Sequence, residues 1–272
     1  MKFENPDIKE GINVSQEHPL KEFWQLSVGV LVLVGLAILV LHYSASYLVR
    51  YIPFSFEKTM TDNIEFLVVE PSATQEKLQQ LADELSLVME LPDDMHITVH
   101  YSEEETVNAF ATLGGHVFFY KGLLDKLESE DALAMVMAHE IAHVKHRHPM
   151  TAMGKGLTLM TAGAAIAGAS GSSAGNLLIG QSMNLSLLKF SRDQETQSDL
   201  SAAQAIQKRY RHIQGAEKLF SVFADLQSNS LNTPELFSSH PQSDDRWLTL
   251  KKFAQDSGWA VTGKVTPLQL PQ

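Results

Sequence analysis

From Phe23 to Leu41 the chain reads FWQLSVGVLVLVGLAILVL, 19 residues without a charged side chain. At about 1.5 Å per residue, a helix of that length covers roughly the 30 Å of a bilayer core. Trp24 stands at one end and Tyr43, Tyr47 and Tyr51 at the other, as in an interfacial aromatic belt. A buried core helix is the soluble alternative, but soluble helices rarely stay this apolar all round. A cleaved signal is a second alternative, since Ser44-Ala45-Ser46 offers small residues after the run. The region before it, however, is long and carries more acid than base. The reading is therefore an uncleaved anchor over 23–49, behind a polar tail at 1–22.

Beyond the anchor the periodicities alternate between helix and strand. Phe66–Glu70 reads as a short strand. Leu78, Leu81, Leu85 and Val88, spaced by three and four, predict an amphipathic helix over 74–90 that Pro92 closes. Ile97–Tyr101 alternates like a strand. Val107–Tyr120 reads as two apolar runs broken by Gly114-Gly115, a hairpin signal. Ser129 with Glu130 and Asp131 predicts a helix start, and the helix is expected to run to Pro149. Residues 156–188 contain no charge and are rich in Gly, Ala and Ser. They read as a helical pair with a tip near 168–175, or as a membrane-dipping hairpin. Helices are expected again over 187–211 and 215–226, and 261–272 reads as a loose tail. The expected division is thus a tail, an anchor, one catalytic-type domain over 50–260 and a C-terminal tail, with no internal repeat.

Charge and composition narrow the chemistry. The formal charge is −11, from 32 acidic and 21 basic side chains. That balance gives no basic surface for phosphates, so nucleic acid is not an expected partner. With no cysteine, disulfides and thiolate sites are excluded, and any metal must be held by His, Asp or Glu. Lys2, Lys9, Lys21 and the amino terminus precede the anchor, whereas Arg50 and Lys58 follow it. The positive-inside rule then leans towards a cytoplasmic tail and an exported domain.

His139-Glu140-Ile141-Ala142-His143 carries the chemistry. Residues four apart share one helix face, so both imidazoles can reach a single metal, with Glu140 beside the metal's open position as a base. A catalytic zinc needs three protein ligands. Downstream, Glu195 and Asp199 are four apart on an expected helix. Glu195 can bind the metal and Asp199 can accept the free ring N–H of a ligand His, although a solvated helical face fits the same spacing. His146 and His148 extend the cluster near the expected helix end, where polar side chains suit the dipole. His100 and His116 read as strand-surface residues.

These runs resemble a known family. AHEIAHVKHRH (138–148) is similar to the zinc helix of the membrane-associated metallopeptidases of the CAAX prenyl protease and HtpX type, peptidase family M48. SRDQETQSD (191–199) resembles that family's second motif, with Ser198 where Ala is more usual. Asn108–Ala111 with Gly114-Gly115 and Gly122–Leu124 resembles its strand and turn before the zinc helix. Ser239-His240-Pro241 with Arg246 resembles its C-terminal motif. The resemblance covers about 100–250 and implies a mainly α zincin domain with a small sheet, one zinc per chain, and Glu195 as third ligand. It further implies protein or peptide substrates, a role in quality control, and a single-pass protein of the bacterial cell membrane. On this reading Glu140 is the catalytic base, and Asn108, Ala109, Phe110 and Ala111 offer a strand edge to an extended substrate. His240 or Arg246 stabilises the oxyanion, or Arg246 holds a carboxylate that positions its loop; the alternative is that both are surface residues, with Arg246 paired to Asp244 or Asp245. The rival is a membrane-anchored chaperone or scaffold around a structural zinc.

Overall fold

The computed structural model describes residues 19–62, 72–156, 189–229, 234–240 and 245–271. The strand expected at 66–70, most of the uncharged stretch at 156–188 and Pro241 lie outside them.

Helix α1 (Pro19–Leu48) contains the apolar run. Its 25-residue window Leu20–Ser44 has a mean hydropathy of 2.5, and none of it is buried against the rest of the chain. That removes the core-helix alternative, because a core helix covers its apolar surface with protein. Among the described residues it is the one helix long and apolar enough to cross a bilayer.

A tight turn at Val49–Tyr51 leads to α2 (Phe54–Thr61), which the sequence pattern did not foretell. Helix α2 fastens the end of α1 to the domain. Val49 packs with Leu113 and Met150. Phe54 is buried, and the buried carboxylate of Glu57 accepts from the Gly114 N–H at 3.2 Å and pairs with Arg147. Arg147 also donates to the Ile52 carbonyl at 3.0 Å. A buried ion pair is supported where neighbours meet its remaining hydrogen-bond capacity, and Gly114 and Ile52 meet part of it here, while Arg147 Nη2 is buried without a hydrogen-bond partner.

Helix α3 (Ala73–Val88) is capped by Ser72, whose Oγ accepts from the Gln75 N–H, and it buries Leu78, Leu81, Ala82 and Leu85. It ends two residues before the predicted limit, at a turn in which Glu90 takes a left-handed φ of 55°. Strands β1 (Thr98–Ser102), β2 (Ala109–Ala111) and β3 (His116–Tyr120) form a sheet of order β1-β3-β2. β1 and β3 are parallel, with Thr98 opposite His116. β2 and β3 form the expected antiparallel hairpin, with Ala109 opposite Phe119. At its turn Gly115 has a φ of 86°, and a Cβ there would lie 2.1 Å from the His96 carbonyl oxygen, so only glycine fits.

A helical turn, α4 (Lys121–Leu124), precedes α5 (Glu130–Lys145), the central helix. Ser129 caps it as predicted, its Oγ accepting from the Ala132 N–H at 3.2 Å. From Asp131 to Val144 every residue is buried. The helix does not run on to Pro149. It stops at Lys145, Arg147 turns the chain at a φ of 58°, and a new helix covers 148–156 with Pro149 in its first turn.

Helix α6 (Arg192–Tyr210) starts later than predicted. Ser191 and Gln194 form a reciprocal capping box that stops it at Arg192. α7 (Gln214–Asn229), α8 (Leu236–Ser239) and α9 (Asp245–Asp256) complete the helices among the described residues. One core joins α3, the inner sheet face, α5, α6 and α7, with Leu85, Phe119, Met137, Ile141 and Ile206 at its centre.

The segment expected to be a loose tail is irregular but fastened. The Glu130 N–H donates to the Thr266 carbonyl, the Thr266 N–H to Asp131, the Leu268 N–H to the Glu128 carbonyl and Thr74 Oγ1 to the Pro271 carbonyl. Three of these bonds brace the N-terminal end of α5 and the fourth ties the segment to α3, so it packs on the domain past 260. The architecture is mainly α with a small sheet, as the sequence implied.

Candidate metal centre

Helix α5 is buried on all sides, so His139, Glu140 and His143 lie inside the protein at 6%, 1% and 0% exposure. The first two turns of α6 cross them. Glu195 projects from the first turn and Asp199 from the next, both buried. The link after α8 delivers His240, and the start of α9 delivers Arg246. Both are buried, which removes the alternative that they are surface residues.

The donor atoms converge. The Nε2 atoms of His139 and His143 are 3.0 Å apart. Glu195 places Oε2 3.6 Å from the first and Oε1 3.5 Å from the second. His240 Nδ1 lies 3.1 Å from Glu195 Oε1 and 3.3 Å from His139 Nε2. One donor from each of the four falls within 4.8 Å of the others. Glu140 is outside this set, with Oε1 3.5 Å from His240 Nε2.

The residues fit a metal ion. The outward nitrogen of each α5 histidine is already occupied. His139 Nδ1 lies 3.0 Å from Asp199 Oδ1, and His143 Nδ1 lies 3.0 Å from His148 Nδ1. With their protons on those outward nitrogens, the inward lone pairs face one another 3.0 Å apart, an arrangement that a cation would relieve. Glu195 Oε2 is buried at the same place, with the Arg246 guanidinium 3.1 Å away as its charged neighbour. Two imidazoles and a carboxylate, without sulfur, form a set suited to zinc and to other borderline or hard divalent ions.

Arg246 is held by carboxylates, the second of the two uses expected of it. Its Nε and Nη2 donate to the two oxygens of Asp199, each at 2.7 Å, and its Nη1 is 3.1 Å from Glu195 Oε2. The fork is thus engaged by the carboxylates that serve the centre. His240 sits among the donors rather than outside them.

Burial and charge set the protonation states. Burial opposes ionising Asp199, but Arg246 and His139 outweigh it and hold the carboxyl down to about 2. Glu195 is likewise lowered against its burial, by His240, His139 and Arg246. Burial raises Glu140, only partly offset by His240 and His139 and by a backbone hydrogen bond from Ala111. Burial pushes His143 well below the usual range, which keeps it neutral. Burial also opposes charging His240, yet Glu140 and Glu195 raise its pKa.

Asn108, Ala109, Phe110 and Ala111 are all buried. Their side chains and their backbone are both covered: β2 is an edge of the sheet among the described residues, and its Ala111 N–H donates to the Glu140 carboxylate. His100 and His116 are half-buried rather than on a strand surface. They touch at 2.9 Å, and burial takes His116 down to about 4. Sequence reasoning passed over Phe190, which stacks on His143 at 4.0 Å between ring centroids. It also left His148 at the periphery, although His148 is buried against His143.

Comparison with known proteins gives a family. The model of peptidase family M48 matches residues 72–254. Metalloprotease YcaL of Escherichia coli (strain K12) is 31% identical over 147 residues, covering 52% of this chain and 55% of that protein. The beta-barrel assembly-enhancing protease of Yersinia pestis is 29% identical over 158 residues, covering 52% of this chain and 31% of its own length. Mitochondrial metalloendopeptidase OMA1 of Schizosaccharomyces pombe is 44% identical over 55 residues, 20% of this chain and 16% of that one. The aligned region is thus about half the length of these relatives or less. Since the family match takes in the central helix, the α6 ligand face and Arg246, and more than half of the 272 residues, the chain belongs to peptidase family M48.

Proposed function

We propose that this chain is a membrane-anchored, zinc-dependent endopeptidase acting on membrane or envelope proteins. The observation that supports it most is the convergence of His139, His143 and Glu195 on one point, with the carboxylate of Glu140 beside that point but outside the ligand set. Zinc, when bound there, polarises the scissile carbonyl and acidifies a water molecule. Glu140 takes the proton from that water and returns one to the leaving amine, a task suited to a carboxyl whose pKa burial has raised. An extended substrate would pair with the edge of β2 and bring its carbonyl past Glu140 once the groups that now cover that strand move aside, the Ala111 N–H leaving the Glu140 carboxylate among them. Asp199 orients His139, and Arg246 holds Asp199 and Glu195 in place. His240 faces the Glu140 side through Nε2 and donates to the developing oxyanion.

A second reading has one specific observation in its favour. His240 Nδ1 stands within the donor cluster, so it could close a four-ligand structural site of the kind a scaffold protein would use. Peptide cleavage separates the two. A solubilised full-length preparation is expected to cleave a casein-type substrate, to stop when a chelator strips the metal and to recover on adding Zn2+. Undiminished cleavage after verified metal removal would exclude metal-assisted hydrolysis, and a zinc-loaded protein without any cleavage would favour the scaffold.

We place the protein in the bacterial cell membrane through 23–41, with the catalytic domain on the periplasmic side. The excess of positive charge before Phe23 supports that orientation, and the name of the Yersinia pestis relative fits an envelope setting. A phosphatase reporter fused after Gln272, which is active only outside the cytoplasm, is expected to be active. Activity from a cytoplasm-only reporter at the same position would reverse the orientation.

A further inference from the structure

Four polar side chains outside the ligand set run in a line from His143 to the surface: His148, Gln197, His146 and Ser201. We propose that they form a directional hydrogen-bond relay that fixes the tautomer of His143 and thereby sets the affinity of the metal centre. The inference rests on the metal-centre reading given above.

The direction follows one bond at a time. A neutral imidazole carries one N–H. His143 turns Nε2 towards His139 Nε2 and Glu195, the point where a metal would sit, so that nitrogen must hold a lone pair and the proton must be on Nδ1. Nδ1 then donates to His148 Nδ1, 3.0 Å away. The Ser198 hydroxyl lies farther from the same nitrogen, at 3.4 Å, and that nitrogen's single lone pair goes to the nearer His143 N–H. His148 Nδ1 is therefore an acceptor, and His148 carries its proton on Nε2, which donates to Gln197 Oε1 at 3.1 Å. With its oxygen engaged, Gln197 turns its NH2 to His146 Nδ1 at 3.2 Å. His146 in turn holds its proton on Nε2 and donates to Ser201 Oγ at 2.9 Å. Every donor in the line meets an acceptor, and reversing any link would set two protons or two lone pairs against each other.

The backbone explains how the line is assembled. The left-handed turn at Arg147 ends α5 and swings His148 back beside His143. Helix α6 then presents two pairs spaced by four. Glu195 and Asp199 serve the metal point and His139, while Gln197 and Ser201, offset by two, serve His148 and His146. The two α5 ligands are consequently supported in different ways. His139 is backed by an anion, the Asp199 carboxylate, and His143 by a chain of neutral groups. A second carboxylate at His148 would add another negative charge to a buried cluster that already holds Glu140, Glu195 and Asp199.

His148, Gln197 and His146 are accordingly positioning residues. The test measures the Zn2+ dissociation constant of the full-length solubilised protein by chelator competition, together with ring 15N shifts of the histidines. Losing an outer partner of a metal-bound histidine typically weakens binding about 10- to 100-fold. His148→Leu, which removes the acceptor, is expected to fall in that range. His148→Asn puts an amide oxygen near the Nδ1 position and is expected to bind close to wild type. Gln197→Leu leaves His148 folded in place but frees its tautomer, and is expected to weaken binding by a smaller factor. The shifts are expected to show His148 protonated on Nε2 and His143 on Nδ1. Wild-type affinity in Gln197→Leu with His148 protonated on Nδ1 would overturn the relay, as would equal weakening in folded His148→Asn and His148→Leu. Should His148→Leu fail to fold, the other two variants and the shifts decide. Failure of the wild-type protein to bind Zn2+ would overturn the metal-centre reading itself.

Discussion

Glu140→Gln is expected to keep one zinc per chain and to lose about a hundred- to ten-thousandfold in kcat. Gln matches Glu in size, and the site is 1% exposed, so the packing of α5 around it is retained. The four donor atoms that converge are those of His139, His143, Glu195 and His240, and none of them changes. What disappears is the group that can take up and release a proton. Metal analysis and steady-state kinetics on the same preparation check both halves. Zinc loss would make Glu140 a ligand, and wild-type kcat at full occupancy would remove it as the base. His240→Ala makes the informative contrast. As a donor to the oxyanion it is expected to keep its zinc and lose roughly a hundred- to a thousandfold in kcat. As the fourth ligand of a closed site it would instead lose zinc affinity.

How far the sequence disclosed this site depends on the range of the interactions involved. His139, Glu140 and His143 were legible because a helix converts a spacing of four into a shared face without help from the rest of the fold. The Ser129 cap, the Gly114-Gly115 hairpin and the helix over 73–88 were legible for the same reason: each is specified within a few residues. Glu195 and Asp199 had the right spacing, but that spacing also suits solvated carboxylates, and only their burial against α5 separates the two cases. Helix α2 left no trace in the pattern, since its eight residues are held by Glu57 and Arg147, ninety positions apart. The break at Arg147 was hidden because His146, Arg147 and His148 all tolerate a helix, and the left-handed φ is imposed by packing. The sequence gives no sign that 261–271 braces α5, because that segment is fastened through backbone groups that every residue carries. The chemistry of the ligands was local, and the orientation of their supports was not.

For Arg246 the geometry supports one of its two expected uses, holding a carboxylate. Read as an oxyanion donor, it should lower kcat on removal while zinc content and stability stay near wild type. Its geometry predicts the opposite for Arg246→Ala. Arg246 is 8% exposed, and its guanidinium makes two 2.7 Å hydrogen bonds to Asp199 and a 3.1 Å contact with Glu195. Deleting it leaves two buried carboxylates without their cation, and breaking a buried pair in this way costs about 3–5 kcal/mol. For a domain of this size that corresponds to a fall of roughly 6–20 °C in Tm. Asp199 also loses the group that holds it against His139 Nδ1, so zinc affinity is expected to drop about 10- to 100-fold, as it does when outer partners of a ligand are lost. Arg246→Lys restores the charge but not the two-pronged fork, and is expected to recover part of the stability and less of the affinity. Thermal unfolding with and without added Zn2+, alongside chelator competition, measures both effects. Arg246→Ala with wild-type Tm and zinc affinity but a kcat reduced a hundredfold would return Arg246 to the transition state and leave the Asp199 and Glu195 contacts without energetic consequence.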